Sequence, residues 1–570
     1  MRRSNFPFRK WVPKPLGILI TLFMFIPALF INGAYTSNIG EMVGSLGIMS
    51  EHIQYANFAT AIGMVVFTPF IIRFLEVNRP KMVYLACLSA LAVISYICAK
   101  TVSMPLLIIC SFFTGSIRIM LIFNTLSILL GYATNNELHF AALLKSSILE
   151  YITNSELNLT KLLKFSSTQT NKEAEDKIEK IKAMGLPFLY LFFLTIGQLG
   201  SFVTAGLAHA YEWQYVYYFM IVIVLISLIL VETTMVYEKK LKTARLPIKK
   251  VGSTILASLI LLSFTFILIY GKTFDWFDNQ LIIYASIIFF VSAGLFLILE
   301  SQNKHPYLDF QIFSFRNVII ALSLFVMLMI LNSSSMIVST FIGISMKTDN
   351  WQKAVLSNYS LIGYVIGAVI AMLMAKWNIH FKYIFSIGFL CITIAAVYMY
   401  FQVQSMGLYE NMIFPVIIRS TGMLILYAMA GVWGMRKLNM SYITSWIFLM
   451  LAFRSVIGPV AGTSLYSNVL NERQQYYISR LSQNVDMLNP EIAETFTQTQ
   501  IGSMRQGKSL EEAQIVATKS VEGRIQVQAT LAALKEVSGW TIYGGIACII
   551  IVLLIPYSHH RKKKLWNYKV

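Results

Sequence analysis

Three arginines lie in the middle of long apolar runs, where an ionised side chain is costly. They are Arg118, Arg419 and Arg454. Each ionisable residue inside a membrane span costs about 2.5–3.5 kcal/mol on insertion scales, so such residues are functional candidates by default. A guanidinium group is a planar fork of donors that suits bidentate binding of carboxylate or phosphate. These arginines therefore indicate either an anionic ligand or bonds to backbone carbonyls that hold helices together.

The same apolar runs contain no acid or histidine at comparable depth that could neutralise these arginines. All seven histidines fall in loops or near the ends of apolar runs. Glu41, at the outer end of the first run, is the only acid near a place where a coupling ion could bind. The excess of buried positive charge favours a ligand with an anionic group.

Neutral polar side chains in the apolar runs form a second set of candidates for a substrate path. They are Asn32, Asn57, Asn124, Asn332, Asn358 and Tyr359. Asparagine between membrane helices often only joins the helices, at about 0.6 kcal/mol per bond. Asn332 opens an Asn-Ser-Ser-Ser stretch, which is the most suggestive pattern because its helix should line a cavity.

The composition identifies an integral membrane protein. The 570 residues are 56% hydrophobic and only 13% charged, whereas a soluble domain carries about 25% charged residues. The net charge is +19, but the basic residues cluster between apolar runs, which is typical of cytoplasmic loops and not of a nucleic-acid surface. The five cysteines lie inside apolar runs, which argues against a disulfide framework or a zinc site.

Fourteen apolar stretches are long enough to cross a bilayer as helices, so the predicted fold is all-α. They lie at 15–37, 53–75, 82–99, 105–132, 186–209, 213–235, 251–270, 281–300, 318–344, 353–375, 383–402, 411–434, 440–466 and 538–557. Basic residues alternate with these spans as expected for an even count with both termini in the cytoplasm. Two connections are long: 136–185 on the cytoplasmic side and 467–536 on the outer side. The outer segment could be a spacer or a docking surface.

The sequence contains a weak internal repeat. With a shift of 300 residues, Ile62-Gly63 of the second span coincides with Ile362-Gly363 of the tenth. Further similarities follow in the same order along the chain. They suggest two homologous halves of six spans, 1–235 and 318–570, separated by two extra spans in 236–317.

Six plus two plus six spans resemble the fourteen-span drug:proton antiporter branch of the major facilitator superfamily. The stretch PFIIRFLEVNRPK resembles that family's conformational motif after the second span. GQLGSFVTAG and AFRSVIGPVAG resemble its fifth and thirteenth spans, where glycines would permit bending and close packing. The resemblance assigns conformational roles to Arg73, Glu76, Arg79, Lys81, Gly197, Gly200, Gly458, Pro459 and Gly462. The family's first-span aspartate is replaced by Asn32, so its proton site does not carry over.

The resemblance implies a multi-pass transporter of a bacterial inner membrane. It would export amphipathic or drug-like compounds by alternating access, with coupling to an ion gradient. Residues 467–536 would meet a periplasmic adaptor protein and, through it, an outer-membrane channel. Two alternatives stay open: transport of an anionic organic solute or lipid without proton coupling, and an integral-membrane enzyme or receptor. No cofactor is predicted, and the absence of a GxxxxGK[ST] phosphate loop argues against an ATP-driven pump.

Overall fold

The computed structural model describes residues 7–77, 80–133, 168–237, 250–303, 306–404, 407–436, 438–439, 442–483 and 490–557. Within these ranges the chain is all-helical, and its one β contact is an isolated antiparallel bridge between Phe8 and Met235. Twelve helices in these ranges are long and apolar enough to cross a membrane. The first and second predicted spans are also helical, but the count of fourteen crossings stays a prediction.

Among the described residues, eight α-helices precede the two extra spans. Their bounds are α1 Lys14–Phe23, α2 Phe25–Phe30, α3 Ile39–Leu46, α4 Ser50–Val77, α5 Pro80–Lys100, α6 Met104–Ala133, α7 Thr168–Ala210 and α8 Gln214–Thr234. The extra spans form the hairpin of α9 Val251–Tyr270 and α10 Gln280–Gln302. In α7 the charged stretch NKEAEDKIEKIK continues into the fifth span without a break.

The second half contains ten helices and one π-helical segment. Their bounds are α11 Arg316–Asn332, α12 Ser335–Ser345, α13 Asn350–Asn358, α14 Ser360–Lys376, α15 Phe381–Gln402, α16 Ile413–Met435, α17 Ile443–Ala452, the π segment Phe453–Ile457, α18 Gly458–Ser482, α19 Pro490–Arg505 and α20 Leu510–Leu554. Several predicted spans are thus pairs of helices joined at a break. The ends of α18 and α20 form the outer segment together with α19.

Helices of the two halves pack in equivalent pairs. In the first half α4 packs on α6, and α5 packs on both α6 and α8. In the second half α14 packs on α16, and α15 packs on both α16 and α20. The first helices also correspond, since α2 contacts α6 and α7 while α11 contacts α16 and α18. The same packing plan therefore occurs twice in the chain.

Two seams join the halves. At one seam α7 contacts α13, α14 and α16, and at the other α4 contacts α17. The α9–α10 hairpin lies beside the second seam, where α9 packs on both α4 and α18. Apolar residues of α4, α9, α11 and α17 belong to one continuous buried cluster, so this seam is part of the hydrophobic core.

Candidate functional site

The first helix of the chain breaks at Asn32. An extended segment and one short 3-10 turn separate α2 from α3. Two tyrosine hydroxyls hold this break: the Asn32 backbone N–H donates to Tyr35 Oη at 3.2 Å, and Tyr217 Oη donates to the Gly33 carbonyl at 2.5 Å. Interrupted helices recur at transporter sites because they leave polar groups available inside the membrane.

Arg118 on α6 reaches this break. Its Nη1 atom donates to Asn32 Oδ1 at 2.7 Å. The Nε atom of Arg118 is buried and has no hydrogen-bond partner among the described residues. The neutral amide of Asn32 satisfies one donor of the fork but leaves the charge uncompensated. The first half therefore presents a guanidinium group with a free donor beside a broken helix.

The second half has a related arrangement. Its first span has a milder discontinuity: α11 ends at Asn332 and α12 begins at Ser335, and the linking Ser333 and Ser334 keep right-handed helical dihedrals. Arg419 on α16 donates from Nη1 to the Asn332 carbonyl oxygen at 3.2 Å. Asn32 and Asn332 also coincide under the 300-residue shift of the repeat. In each half, an arginine of the fourth span thus bonds the asparagine at the interruption of the first span.

Arg454 differs because its bond crosses between the halves. Its Nη1 atom donates to Tyr190 Oη on α7 at 3.0 Å. The guanidinium carbon lies 5.3 Å from the Tyr190 ring centre and 5.0 Å from that of Tyr427, within the range of cation–π attraction. Tyr190 of the first half therefore contacts Arg454 and Tyr427, which both belong to the second half.

A π-helical segment, Phe453–Ile457, lies directly before Gly458 in the thirteenth predicted span, where a bend was predicted. The π-helical segment contains Arg454 itself, and such segments are frequent at functional sites. Pro459 occupies the first turn of α18, where its missing N–H breaks no helix bond. A Cβ at Gly458 would lie 2.7 Å from Met329 Cβ, and one at Gly462 would lie 2.9 Å from the Met329 carbonyl oxygen. The glycines therefore let α18 lie directly against α11.

A second contact between the halves lies near the other end of α7. A Cβ at Gly206 would be 2.8 Å from the indole of Trp351 on α13. The ring of His209 stacks on the same indole, with centroids 6.4 Å apart. Glu41 accepts a hydrogen bond at Oε2 from Asn350 Nδ2 at 2.9 Å. The predicted coupling residue Glu41 thus takes part in a contact between the halves.

The remaining polar candidates are of two kinds: some hydrogen-bond a neighbouring helix, and others have no such bond among the described residues. Asn124 is 1% exposed and donates from Nδ2 to the Pro80 carbonyl at 3.2 Å, so it joins α6 to α5; its place on the substrate path stays a prediction. Asn358 ends α13, and its buried Oδ1 has no partner within the described ranges. Tyr359 separates α13 from α14, and Asn57 is half-buried on α4.

Of the conformational motif after the second span, Lys81 is described in full. It is 1% exposed, and its Nζ lies 3.0 Å from Glu232 Oε1 at the end of α8. The side chains of Arg73, Glu76 and Arg79 lie outside what the structure describes. Lys81 therefore joins α5 to α8 within the first half.

The two predicted glycines of the fifth span have different surroundings. A Cβ at Gly200 would lie 2.9 Å from the Phe30 ring, so α7 and α2 approach closely there. A Cβ at Gly197 would meet no atom within 4 Å. The prediction of close packing is therefore wrong for Gly197, because that side of α7 faces open space in this conformation.

Glu300 is a buried acid that was not expected from the sequence. It is fully buried at the end of the eighth predicted span. Acids at span ends normally face water, so its position gave no signal of burial. The segment SQNKHPYLD that follows it is mostly polar and gave no signal of burial either. Glu300 is therefore a buried acid at a span end, not at the mid-span depth of the three arginines.

The three arginines have no ion-pair partner among the described residues. In the part of the chain that the structure describes, ion pairs join Lys81 to Glu232 and Arg473 to Glu536, and none involves Arg118, Arg419 or Arg454. The same part contains no group of three or more His, Cys, Asp or Glu residues placed to bind a metal. The central polar groups are thus guanidinium, amide, hydroxyl and backbone groups.

The outer segment encloses a separate cavity. Its volume is about 360 Å³, and it lies between the ends of α18, α19 and α20. Much of its wall is apolar, with contributions from Ile478, Ile492, Phe496, Val521 and Ile525. This cavity lies well apart in sequence from the arginines of the spans.

Neither family models nor curated proteins match this sequence. Among solved structures, the chain is similar to the nucleoside transporter NupG at 10% identity and a TM-score of 0.43, over 95% of this chain and 98% of that one. It is similar to a bacterial homologue of the human lysosomal transporter Spinster, in an inward-facing and unoccupied conformation, at 11% identity and 0.48, over 94% and 95%. It is also similar to a peptide transporter POT in complex with sulfate at 12% identity and 0.49, over 96% of each chain. The functional proposal therefore rests on contacts within this chain.

Proposed function

We propose that this protein is a secondary transporter that works by alternating access between two six-span bundles, 1–235 and 318–570, with 236–317 as a linker hairpin. The observation that carries the proposal is the repeated pair of Arg118 with Asn32 and Arg419 with Asn332, each at the break of the first span in its half. Broken helices in corresponding positions of two repeats are typical of substrate sites in transporters.

The contacts along α7 support the alternating movement. Tyr190 meets Arg454 near one end of the predicted fifth span, 186–209, and Gly206 meets Trp351 near the other. At a rise of 1.5 Å per residue these contacts are about 24 Å apart, close to the thickness of the hydrocarbon core. Separating the halves at one contact while keeping the other would open the centre to one side at a time.

We propose an amphipathic organic compound with an anionic group as the substrate. Three arginines supply positive charge, and none of them pairs with a carboxylate within the described ranges. The aromatic rings of Tyr190, Tyr427 and Phe25 lie on the helices that carry or adjoin these arginines. A guanidinium group beside aromatic rings suits a ligand with both an anion and an apolar body. Drug-like acids satisfy this description.

The direction and the coupling are further proposals. Export driven by an ion gradient from a bacterial inner membrane, with both termini in the cytoplasm, agrees with the distribution of basic residues. The second candidate, movement of an anionic solute or lipid without proton coupling, draws support from the absence of carboxylates around the arginines among the described residues.

Transport in proteoliposomes tests the proposal. The probe is an anionic amphipathic dye, and its neutral methyl ester is the matched control. We expect saturable uptake of the acid above the rate of empty vesicles, with little saturable uptake of the ester. If transport is coupled to protons, a pH gradient should accelerate uptake of the acid. Under the uncoupled alternative, the gradient should leave the uptake rate unchanged. No saturable uptake of either compound in both conditions would contradict the function.

A further inference from the structure

The α9–α10 hairpin is bonded to both halves. On the α4 side, a ring nitrogen of His52 lies 2.5 Å from Tyr270 Oη at the end of α9. On the α18 side, Ser464 Oγ donates to the Leu268 carbonyl at 2.7 Å. The hairpin is therefore attached across the seam between the bundles, near the predicted outer surface.

The segment after α10 crosses the same seam near the predicted cytoplasmic surface. Tyr307 is 2% exposed, and its hydroxyl donates to the Val66 carbonyl of α4 at 2.5 Å. Its ring meets Phe448 of α17 edge-on, with centroids 5.3 Å apart. Two residues later, the Asp309 N–H donates to Ser445 Oγ of α17 at 3.1 Å. One short segment thus touches both bundles.

The buried carboxylate of Glu300 holds this segment in place. Its Oε2 accepts from the N–H groups of Tyr307 at 2.5 Å and Leu308 at 3.3 Å. Its Oε1 accepts from Ser253 Oγ on α9. Removal of the carboxylate would leave two buried N–H groups without partners, which is costly. The position of the Tyr307 ring therefore depends on Glu300.

We propose that Tyr307 is a wedge that holds the α4–α17 seam closed on the cytoplasmic side, and that Glu300 is its positioning residue. This inference rests on the alternating-access function proposed above. It assigns a task to the two extra spans: they fasten the bundles along one seam and set how readily that seam opens inward. Opening must break the hydroxyl bond to Val66 or the ring contact with Phe448.

Distances between spin labels on the two bundles test the wedge. Labels are placed on Met82→Cys and Trp377→Cys, two exposed positions at the predicted cytoplasmic ends of α5 and α14, after the native cysteines are replaced by serine. Tyr307→Phe removes one hydroxyl donor and keeps the ring. We expect the ratio of long to short distances to rise about fivefold, as for the loss of one hydrogen bond. Tyr284→Phe, at an exposed tyrosine of α10, is the matched control.

Two Glu300 variants test the positioning role. Glu300→Ala should shift the distances further than Tyr307→Phe and lower the maximal rate of uptake. It should leave the KM for substrate within about twofold, because Glu300 does not touch the arginine sites and the loss of its hydrogen bonds acts elsewhere. Glu300→Gln keeps an acceptor oxygen and should restore part of the wild-type distance distribution. Equal distributions for Tyr307→Phe, Tyr284→Phe and wild type would overturn the wedge.

The wedge and the transport function can fail separately. If the wild-type protein shows one distance population with and without the dye, alternating access itself is contradicted. If two populations exist and respond to the dye but not to Tyr307→Phe, only the wedge is contradicted. Because Tyr307→Phe deletes a single oxygen atom, its result does not depend on how well the Glu300 variants fold.

Discussion

The partners of the three arginines separate their roles. Arg118 and Arg419 bond residues of their own half, so both bonds can persist while the halves move. Arg454 bonds Tyr190 of the other half, so its bond must break when the halves part at that end. The first two are therefore suited to holding a ligand, and Arg454 is suited to closing the protein around it.

Arg118→Ala should raise the KM for an anionic amphipathic dye by about 10- to 100-fold, the range expected when a charged hydrogen bond of about 1.5–3 kcal/mol is lost. Arg118→Lys keeps the charge but not the planar fork, so an intermediate KM is expected. Initial rates of uptake in proteoliposomes measure both.

The matched control is Arg480→Ala, which removes an exposed arginine of the outer segment. It should leave the KM unchanged. Wild-type KM values for the acid in both Arg118 variants would remove Arg118 from the binding site. An equal effect on the neutral ester would show that the arginine acts through structure and not through charge.

The ion pair of Arg473 with Glu536 gives the outer segment a pH dependence. The hydrogen bond from the Arg473 guanidinium lowers the pKa of the Glu536 carboxyl below its usual 4.5. A carboxyl with a lowered folded-state pKa stabilises the fold at pH values above its unfolded pKa, and this contribution is lost as the pH falls through the folded value. The protection factors of amides in α18 and α20, that is, their exchange rates relative to an unfolded chain at the same pH, should therefore fall below about pH 4.5. In Glu536→Gln this fall should be smaller, and identical pH profiles of the protection factors would contradict the assignment.

Residue types in the spans identified candidate side chains, but not what those side chains touch. The excess of arginine over acid could be recognised from the apolar runs around Arg118, Arg419 and Arg454. The bond from Arg118 to Asn32 could not, because it depends on how α6 is rotated toward the break between α2 and α3. Glu300 was missed because a span end looks the same in sequence whether it faces water or a buried loop.

Helix pairs in both halves depend on glycines at the same places. A Cβ at Gly63 would lie 2.0 Å from the Phe112 carbonyl oxygen, and one at Gly363 would lie 2.3 Å from the Ile417 carbonyl oxygen. Small residues at membrane helix interfaces let backbones approach this closely. The coincidence of Ile62-Gly63 with Ile362-Gly363 in the sequence repeat therefore reflects a contact that each bundle needs.

Gly115→Ala should destabilise the first bundle. Its Cβ would lie 1.8 Å from the Thr60 carbonyl oxygen of α4, so α4 and α6 must move apart, at about 1–3 kcal/mol for overpacking. The temperature of unfolding in detergent should fall. Gly294→Ala on α10 is the control, because its Cβ would meet no atom within 4 Å. Equal unfolding temperatures for the two variants would contradict the close approach of α4 and α6.

At the scale of elements, span positions followed from hydropathy, whereas breaks inside spans did not. The discontinuity between α11 and α12 falls within the four polar residues 332–335, which stand in an otherwise apolar stretch and gave no signal of where the helix ends. Conversely, 136–185 was predicted as a connection between spans, yet the 43-residue helix α7 begins inside it at Thr168 and continues into the fifth span. Local polarity reports contact with water, but continuity of the backbone depends on packing elsewhere.

The two seams of the molecule are not alike. The α4–α17 seam is fastened by the α9–α10 hairpin and by the wedge at Tyr307. The α7 seam has contacts near the two ends of the predicted fifth span, at Tyr190 and at Gly206. A relative rotation of the bundles should therefore open the α7 side wider than the fastened side.

We propose that the outer segment binds a periplasmic adaptor protein and is dispensable for transport itself. Replacing residues 481–523 by a short Gly-Ser linker keeps the pairs of Arg473 with Glu536 and Gln474 with Thr530. The shortened protein should keep its wild-type uptake rate in proteoliposomes. In intact cells it should lose co-purification with the adaptor and efflux of the dye. Loss of uptake in proteoliposomes would instead place the segment within the transport machinery.

The helix α20 is continuous for 45 residues, from Leu510 in the outer segment to Leu554 in the last span. It is a single stiff lever with its fulcrum in the second bundle. The outer arm, before the predicted span, is about 40 Å long at 1.5 Å per residue, so a tilt of the bundle by about 10° moves its tip by about 7 Å. A partner bound to the tip would be displaced in each transport cycle. A partner that held the tip in place would slow the cycle.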